Sequence, residues 1–208
     1  MPNGDVVHVI DDDAGVRQSL AFSLSTAGLA VRVYESAVAF LKALPHVQDG
    51  CIVTDIRMPE VDGLELQRKL KALKNTMPVI VITGHGDVAL AVEAMKAGAI
   101  DFIEKPFDDE GLLATIRSAL ARHEGDRERG SRAAEVRARL ALLSERERQV
   151  LHGLVAGKPN KVIAYDLGIS ARTVEIYRAN VMTKMQADSL SSLVRMVLVE
   201  SASDPALR

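Results

Sequence analysis

The stretch CIVTDIRMPEVDG, Cys51 to Gly63, decides how this chain is read. Its opening residues, Cys51 to Thr54, are a mostly apolar, β-branched run that predicts a buried strand. The strand stops on a carboxylate, Asp55. Arg57-Met58-Pro59, two more acids and a glycine follow. Taken alone, Asp55 is either a turn residue or a group placed to react.

Runs of the same kind lie on both sides: VVHVI (Val6–Ile10), AVRVY (Ala30–Tyr34), PVIVIT (Pro78–Thr83) and AIDFI (Ala99–Ile103). Between them come segments of helical period, marked by Val16, Leu20 and Leu24, by Leu64, Leu66 and Leu70, and by Ala91, Ala94 and Met95. Strand alternating with helix predicts βαβ units around a parallel, doubly wound sheet of the α/β class. A helix rich in Leu and Ala, roughly Asp109 to His123, closes this domain.

The 208 residues leave room for a second domain. Aromatics are 3% of the chain and Trp is absent, so aliphatic side chains build both cores. Charge is uneven: net −5 over residues 1–123, +1 over 124–143 and +2 over 144–208. A mildly basic C-terminal part permits a nucleic-acid partner without requiring one. Cys51 is the only cysteine, which excludes an intramolecular disulfide and fits a reducing cytosol. No apolar run is long enough for a membrane span. The start, MPNGDVVHVIDDD, carries acids where a secretory signal needs cations. His8, His46, His85, His123 and His152 show no metal-ligand spacing and read as structural or surface residues.

HEGDRERGSR (His123–Arg132) has two glycines, many charges and no apolar period, and reads as a linker. Ala133–Leu143 is a short helix candidate. From Ser144 the pattern is wholly helical. Ser144 with Glu147 forms a capping box. Four helices are predicted: one ending near Gly157, one from Asn160 to Leu167, one from Ser170 to about Met185 and one after Ser189. The join Gly168-Ile169-Ser170 is a helix-turn-helix signal. The domains expected are therefore 1–123, a partly helical linker 124–143, and 144–208.

In parallel sheets, ligands sit at the carboxyl ends of the strands. Asp11, Asp12 and Asp13 follow the first strand, Asp55 the third; Thr83 ends the fourth and Lys105 follows the fifth. Each has an ordinary reading as a loop, cap or turn residue. Together they predict one crevice holding carboxylates, a hydroxyl and an ammonium. Clustered carboxylates repel unless a cation neutralises them, and magnesium suits a few carboxylates and a carbonyl. An aspartate there can act as a nucleophile on phosphorus, with Lys105 and Thr83 facing the transferred oxygens. Pro59 and Gly63 are shape residues, and Asp62 can start the next helix.

The arrangement of DDD, DIRMPEVDG, ITGHGD and DFIEKPF resembles the receiver domain of bacterial two-component response regulators over about residues 4–123. The resemblance implies a flavodoxin-like fold with Asp55 as phosphoacceptor. It implies Asp12 and Asp55 as direct magnesium ligands, Asp11 acting through water and the Arg57 carbonyl completing the set. It further implies Lys105 as the phosphoryl partner, Thr83 as the switch hydroxyl, Phe102 as the switch aromatic and a cis Lys105–Pro106 bond. Asp13 matches no required role beyond added negative charge.

On the third C-terminal helix, Val174, Tyr177, Val181 and Met185 form an inward stripe. The opposite face carries Arg172, Glu175, Ile176, Ala179, Met182 and Thr183, with Arg178 and Lys184 at the borders. Such a face suits a recognition helix in a major groove: Arg178 and Lys184 for phosphates, Glu175 and Ile176 for base edges. From spacing alone, a protein-binding module is an equal alternative. LSERERQVLHGLVAGKPNKVIAYDLGISARTVEIYRANVMTKM resembles the LuxR-type helix-turn-helix domain, on positions that include Asn160, Lys161, Thr173, Glu175 and Lys184, with Tyr177 where histidine is common.

Both halves together resemble the FixJ subgroup of these regulators, down to GHGDVALAVEAMKAGAIDFIEKPF and YRANVM. This implies a cytoplasmic transcription activator, phosphorylated by a FixL-like, haem-based oxygen-sensing histidine kinase. It would dimerise when phosphorylated, bind promoter DNA, work with RNA polymerase and serve genes for nitrogen fixation or low-oxygen respiration. No turnover of a separate substrate is expected. An enzyme with an aspartyl intermediate would need a second placed acid and a substrate pocket. A nucleotide-binding protein would need a glycine-rich loop where DDDAG stands.

Overall fold

The computed structural model describes residues 6–84 and 88–203. The chain divides into two compact units, one up to Gly125 and one from Asp126.

In the first unit the strands are β1 (Val6–Ile10), β2 (Ala30–Tyr34), β3 (Gly50–Asp55), β4 (Val79–Thr83) and β5 (Asp101–Glu104). They form one parallel sheet in the order β2-β1-β3-β4-β5. Every residue of β1, β3 and β4 is buried, as continuous apolar strands covered on both faces must be. The edge strands β2 and β5 have only half-buried and exposed residues.

Helices α1 (Ala14–Thr26), α2 (Ala37–Ala43), α3 (Gly63–Ala72), α4 (Val88–Ala97) and α5 (Asp109–Ala141) connect or follow the strands. Because strand side chains alternate, Ile10, Ile52, Val79 and Val81 pack with Phe40, Leu66, Leu70 and Ala94. Val7, Val9, Cys51, Val53, Ile80 and Ile82 face the other way, onto Leu20, Leu24, Leu112, Ile116 and Leu120. Burial pushes the Cys51 thiol up to about 12, which keeps it protonated and inert.

Helix α2 has no counterpart in the periodicity reading. At seven residues it is too short to develop a period, and it is set by its cap, Ser36, which accepts from the Ala39 N–H. The first unit's last helix also differs from expectation. It does not end near His123; helical backbone continues to Ala141 through the stretch that reads as a linker. Ion pairs at helical spacing support this solvated segment: Arg129 with Asp126, Arg132 with Glu128 and Arg139 with Glu135. Such pairs need no apolar stripe, so periodicity misses them.

The second unit is all-helical: the end of α5, then α6 (Glu145–Val155), α7 (Asn160–Leu167), α8 (Ala171–Met185) and α9 (Leu190–Ser203). Val150, Leu154, Ile163, Val174, Val181, Met185 and Leu193 form its core, with Val136 and Leu143 packed among them. Residues 133–143 thus contribute to this core. The capping box at Ser144 is complete: Ser144 Oγ accepts from the Glu147 N–H, and Glu147 Oε2 accepts from the Ser144 N–H. Gly168, at φ 65°, ends α7, a left-handed conformation glycine adopts at little cost.

Candidate functional site

Strand register brings the crevice together. Ile10 pairs with Thr54, Asp55 with Ile82 and Thr83 with Glu104, so the residues at the strand ends fall side by side. The backbone continues these rows, with Ile56 N–H donating to the Ile82 carbonyl and Lys105 N–H to the Thr83 carbonyl at 2.8 Å.

Lys105 Nζ donates to Asp55 Oδ1 at 2.7 Å and to Asp11 Oδ2 at 3.1 Å. Asp55 Oδ2 accepts from the Arg57 N–H at 2.7 Å, and Asp11 Oδ1 from the Asp13 N–H at 2.8 Å. Each oxygen of the two buried carboxylates therefore has a donor. Burial raises the Asp11 carboxyl above the usual range, and bonds from the Asp13 N–H and Lys105 oppose the rise. Burial works against the Lys105 ammonium, but its hydrogen bonds to Asp55 and Asp11 outweigh that and raise its pKa. The Lys105–Pro106 bond is cis.

Other expected residues stand around this centre. Thr83 is buried at the end of β4, its hydroxyl donating to the Gly84 carbonyl at 3.3 Å. Asp12 and Arg57 are exposed and border a cavity of about 470 Å³ with Met58, Pro59 and Asp62. Phe102 on β5 is 42% exposed, and Ile100 before it and Val92 and Met95 of α4 are exposed as well. His85, Gly86 and Asp87 of the ITGHGD motif lie outside the described residues.

Donor types fit a hard divalent cation: carboxylates of Asp11, Asp55 and Asp12 and the Arg57 carbonyl. However, among the described residues no three His, Cys, Asp or Glu side chains are gathered as a metal-binding group. Asp12 faces solvent while Lys105 joins the other two acids.

Two local roles were not apparent from strand ends. Asp13, expected only to add charge, caps α1: its Oδ1 accepts from the Gly15 and Val16 N–H groups, which hold its carboxyl below the usual range. An aspartate before a helical run carries that signal. Arg17 donates to the Asp11 carbonyl at 2.6 Å and fixes the loop, with no sequence signal. Gly63 stands where an added Cβ would come within 2.6 Å of the Asp55 carbonyl oxygen, so close packing behind the site demands glycine.

In the second unit, Val174, Val181 and Met185 are buried and Tyr177 packs beside them. Arg172, Glu175, Ile176 and Ala179 are exposed on α8, Ile176 at 56%. Met182 departs from the outer face and packs against the core. Asn160 opens α7 half-buried, and Lys161 is exposed. The Thr173 hydroxyl shares a 2.8 Å hydrogen bond with Ser170 at the cap of α8, and Arg178 is half-buried. Lys184, expected at a phosphate, donates to Glu147 Oε2 at 2.7 Å and to the Leu142 carbonyl at 3.2 Å. The Lys184 ammonium and the Ser144 N–H hold the Glu147 carboxyl below the usual carboxylate range.

Residues 7–117 match the response regulator receiver domain, and residues 141–197 match the luxR family of bacterial regulatory proteins. The transcriptional regulatory protein FixJ of Azorhizobium caulinodans is 59% identical over 199 residues, spanning 96% of this chain and 94% of that protein. FixJ of Rhizobium meliloti is 58% identical, spanning 92% of this chain and 94% of that protein. The crystal structure of full-length FixJ from B. japonicum aligns at a TM-score of 0.63 and 52% identity, covering 97% of this chain and 99% of that one.

Proposed function

Because this chain belongs to the response regulators that join a receiver domain to a luxR-family domain, as a close homologue of FixJ proteins, we propose that Asp55 is the residue through which its phosphorylation gates promoter binding. One observation carries the assignment. At the end of β3, Asp55 has an ammonium at 2.7 Å on one oxygen and a backbone N–H at 2.7 Å on the other.

The proposed step is displacement at phosphorus. An Asp55 oxygen forms the new P–O bond, and the bond from phosphorus to the imidazole nitrogen of a kinase phosphohistidine breaks. Lys105 then stands where it can bond an oxygen of the transferred group, and Thr83, one strand over, is the second donor. Asp11, Asp12, Asp55 and the Arg57 carbonyl would hold magnesium, which supplies charge neutralisation for the transferring oxygens.

Movement of Thr83 and Phe102 changes the face formed by α4 and β5. The exposed apolar side chains of Val92, Met95, Ile100 and Phe102 favour pairing of that face with a second copy. Arg172, Glu175, Ile176, Arg178 and Ala179 of α8, with Asn160, Lys161 and Thr173, meet DNA. Homology to FixJ supports a FixL-like kinase, RNA polymerase as downstream partner, a cytoplasmic setting and genes of nitrogen fixation or low-oxygen respiration. No described helix is long and apolar enough to cross a membrane.

Acetyl phosphate with magnesium tests this on wild type and Asp55→Asn. Wild type gains one phosphoryl mass and dimerises; the variant does neither. A mass gain that persists in Asp55→Asn refutes the assignment. Salt-dependent binding of duplex DNA separates this reading from a protein-binding output.

A further inference from the structure

Gln67 lies on α3 at the seam with α4, beside Arg68, which reaches across to Glu93 of α4 at 2.6 Å. It is 4% exposed, and both its amide nitrogen and its amide oxygen lack a hydrogen-bond partner. Buried polar groups are almost always paired, because an unpaired one forfeits its hydration with no return. Leucine at this position would satisfy the same helix face. This arrangement therefore leaves the amide without a protein partner.

Two further observations lie beside it. Gln67 borders a cavity of about 300 Å³ with Leu70 and Met77 on one side and Ala97, Gly98 and Ile100, at the foot of α4, on the other. Gly98, at φ 110°, ends α4 in a backbone conformation that only glycine adopts readily, with open space where a Cβ would stand. The foot of α4 thus has a glycine joint, a void beside it and an amide seeking partners. In the last turn of α4 the Ala94 and Met95 carbonyls already accept from the Ala99 and Gly98 N–H groups, which leaves those of Lys96 and Ala97 as the ones the Gln67 amide N–H can serve.

We propose that Gln67 is a positioning residue for the switch: its unpaired amide destabilises the present placement of α4 and favours a placement in which the foot of α4 closes onto it. The inference rests on the proposed phosphorylation switch and names the residue that sets its bias. A group paired in one state and unpaired in the other shifts their ratio by roughly tenfold or more.

The test uses the full chain as wild type, Gln67→Leu and Gln67→Met, with acetyl phosphate and magnesium. Phosphoryl uptake is read by mass, dimerisation by sedimentation and stability of the unphosphorylated chain by heat unfolding. The expected result is equal uptake, a higher unfolding temperature for both variants and dimerisation weakened roughly tenfold. Raised stability with unchanged dimerisation means the amide is unpaired in both states and overturns the proposal. Lowered stability in both variants means an ordered water already satisfies the amide, which also overturns it. Wild type that takes up phosphoryl without dimerising defeats the switch itself, and that result is visible before any variant is compared.

Discussion

The two units place their chemistry in opposite ways. In the first, the acidic crevice is built from backbone register. Asp11, Asp55 and Lys105 meet because β1, β3 and β5 end on one side of one sheet, and every carboxylate oxygen of the two aspartates is already bonded. In the second, the outer face of α8 is defined by what it lacks. Arg172, Glu175, Ile176 and Ala179 are exposed, while Lys184, half-buried at the border of α8, pairs with the buried Glu147 and locks the turn before α6. A crevice that reacts must be held before its substrate arrives. On the proposed function, the α8 face must stay free for DNA. Mutations in the first should therefore move the switch, and mutations on the α8 face should move binding with folding unchanged.

The largest effect expected is at Lys105. Lys105→Met removes the donor shared by Asp11 and Asp55 and, with it, a charge-assisted bond to the phosphoryl group worth about 2–3 kcal/mol. Uptake at Asp55 should persist while dimerisation weakens by roughly one to two orders of magnitude, measured by sedimentation with acetyl phosphate.

Next comes Glu147→Ala, which removes half of the capping box and strands Lys184. It should cost the helical unit about 2 kcal/mol, read as faster hydrogen exchange at Val150, Leu151 and Leu154, with phosphoryl uptake unchanged. The pH dependence has a definite sign. The Glu147 carboxyl lies below its unfolded value when folded, so its contribution is full above the unfolded value and is lost as pH falls through the folded one. Glu147→Gln should flatten that acid limb.

Smaller still is Arg178→Ala. It should weaken duplex binding by about 1 kcal/mol on any sequence and lower the salt slope by about 1, as loss of one phosphate contact does. Exchange in α6 and α8 should not change. Loss of protection there would mean that Arg178 serves the fold and would erase the contrast between the two units.

The crevice was legible because polar residues at the ends of buried strands have few reasons to be there. Asp55 alone was ambiguous; Asp11, Thr83 and Lys105 at neighbouring strand ends are what favoured the reactive reading. Helices α7 and α8 were legible from Gly168, Ser170 and the inward stripe, and α9 from its start after Ser189. What stayed hidden depends on contacts that leave no period. Helix α5 continues past His123 through ion pairs, α2 is too short to show a repeat, and Arg17 reaches a backbone carbonyl. Lys184 illustrates the limit. Its position on the helix border suits a phosphate equally well, and only the fold shows Glu147 waiting beside it.

The central claim is that the phosphoryl group sits on Asp55. Borohydride reduces an acyl phosphate to the alcohol, which converts the modified aspartate to homoserine. After treatment with acetyl phosphate, magnesium and borohydride, peptide mass mapping should place that change at Asp55. A change at Asp11, Asp12 or any other acid, with Asp55 intact, would contradict the account.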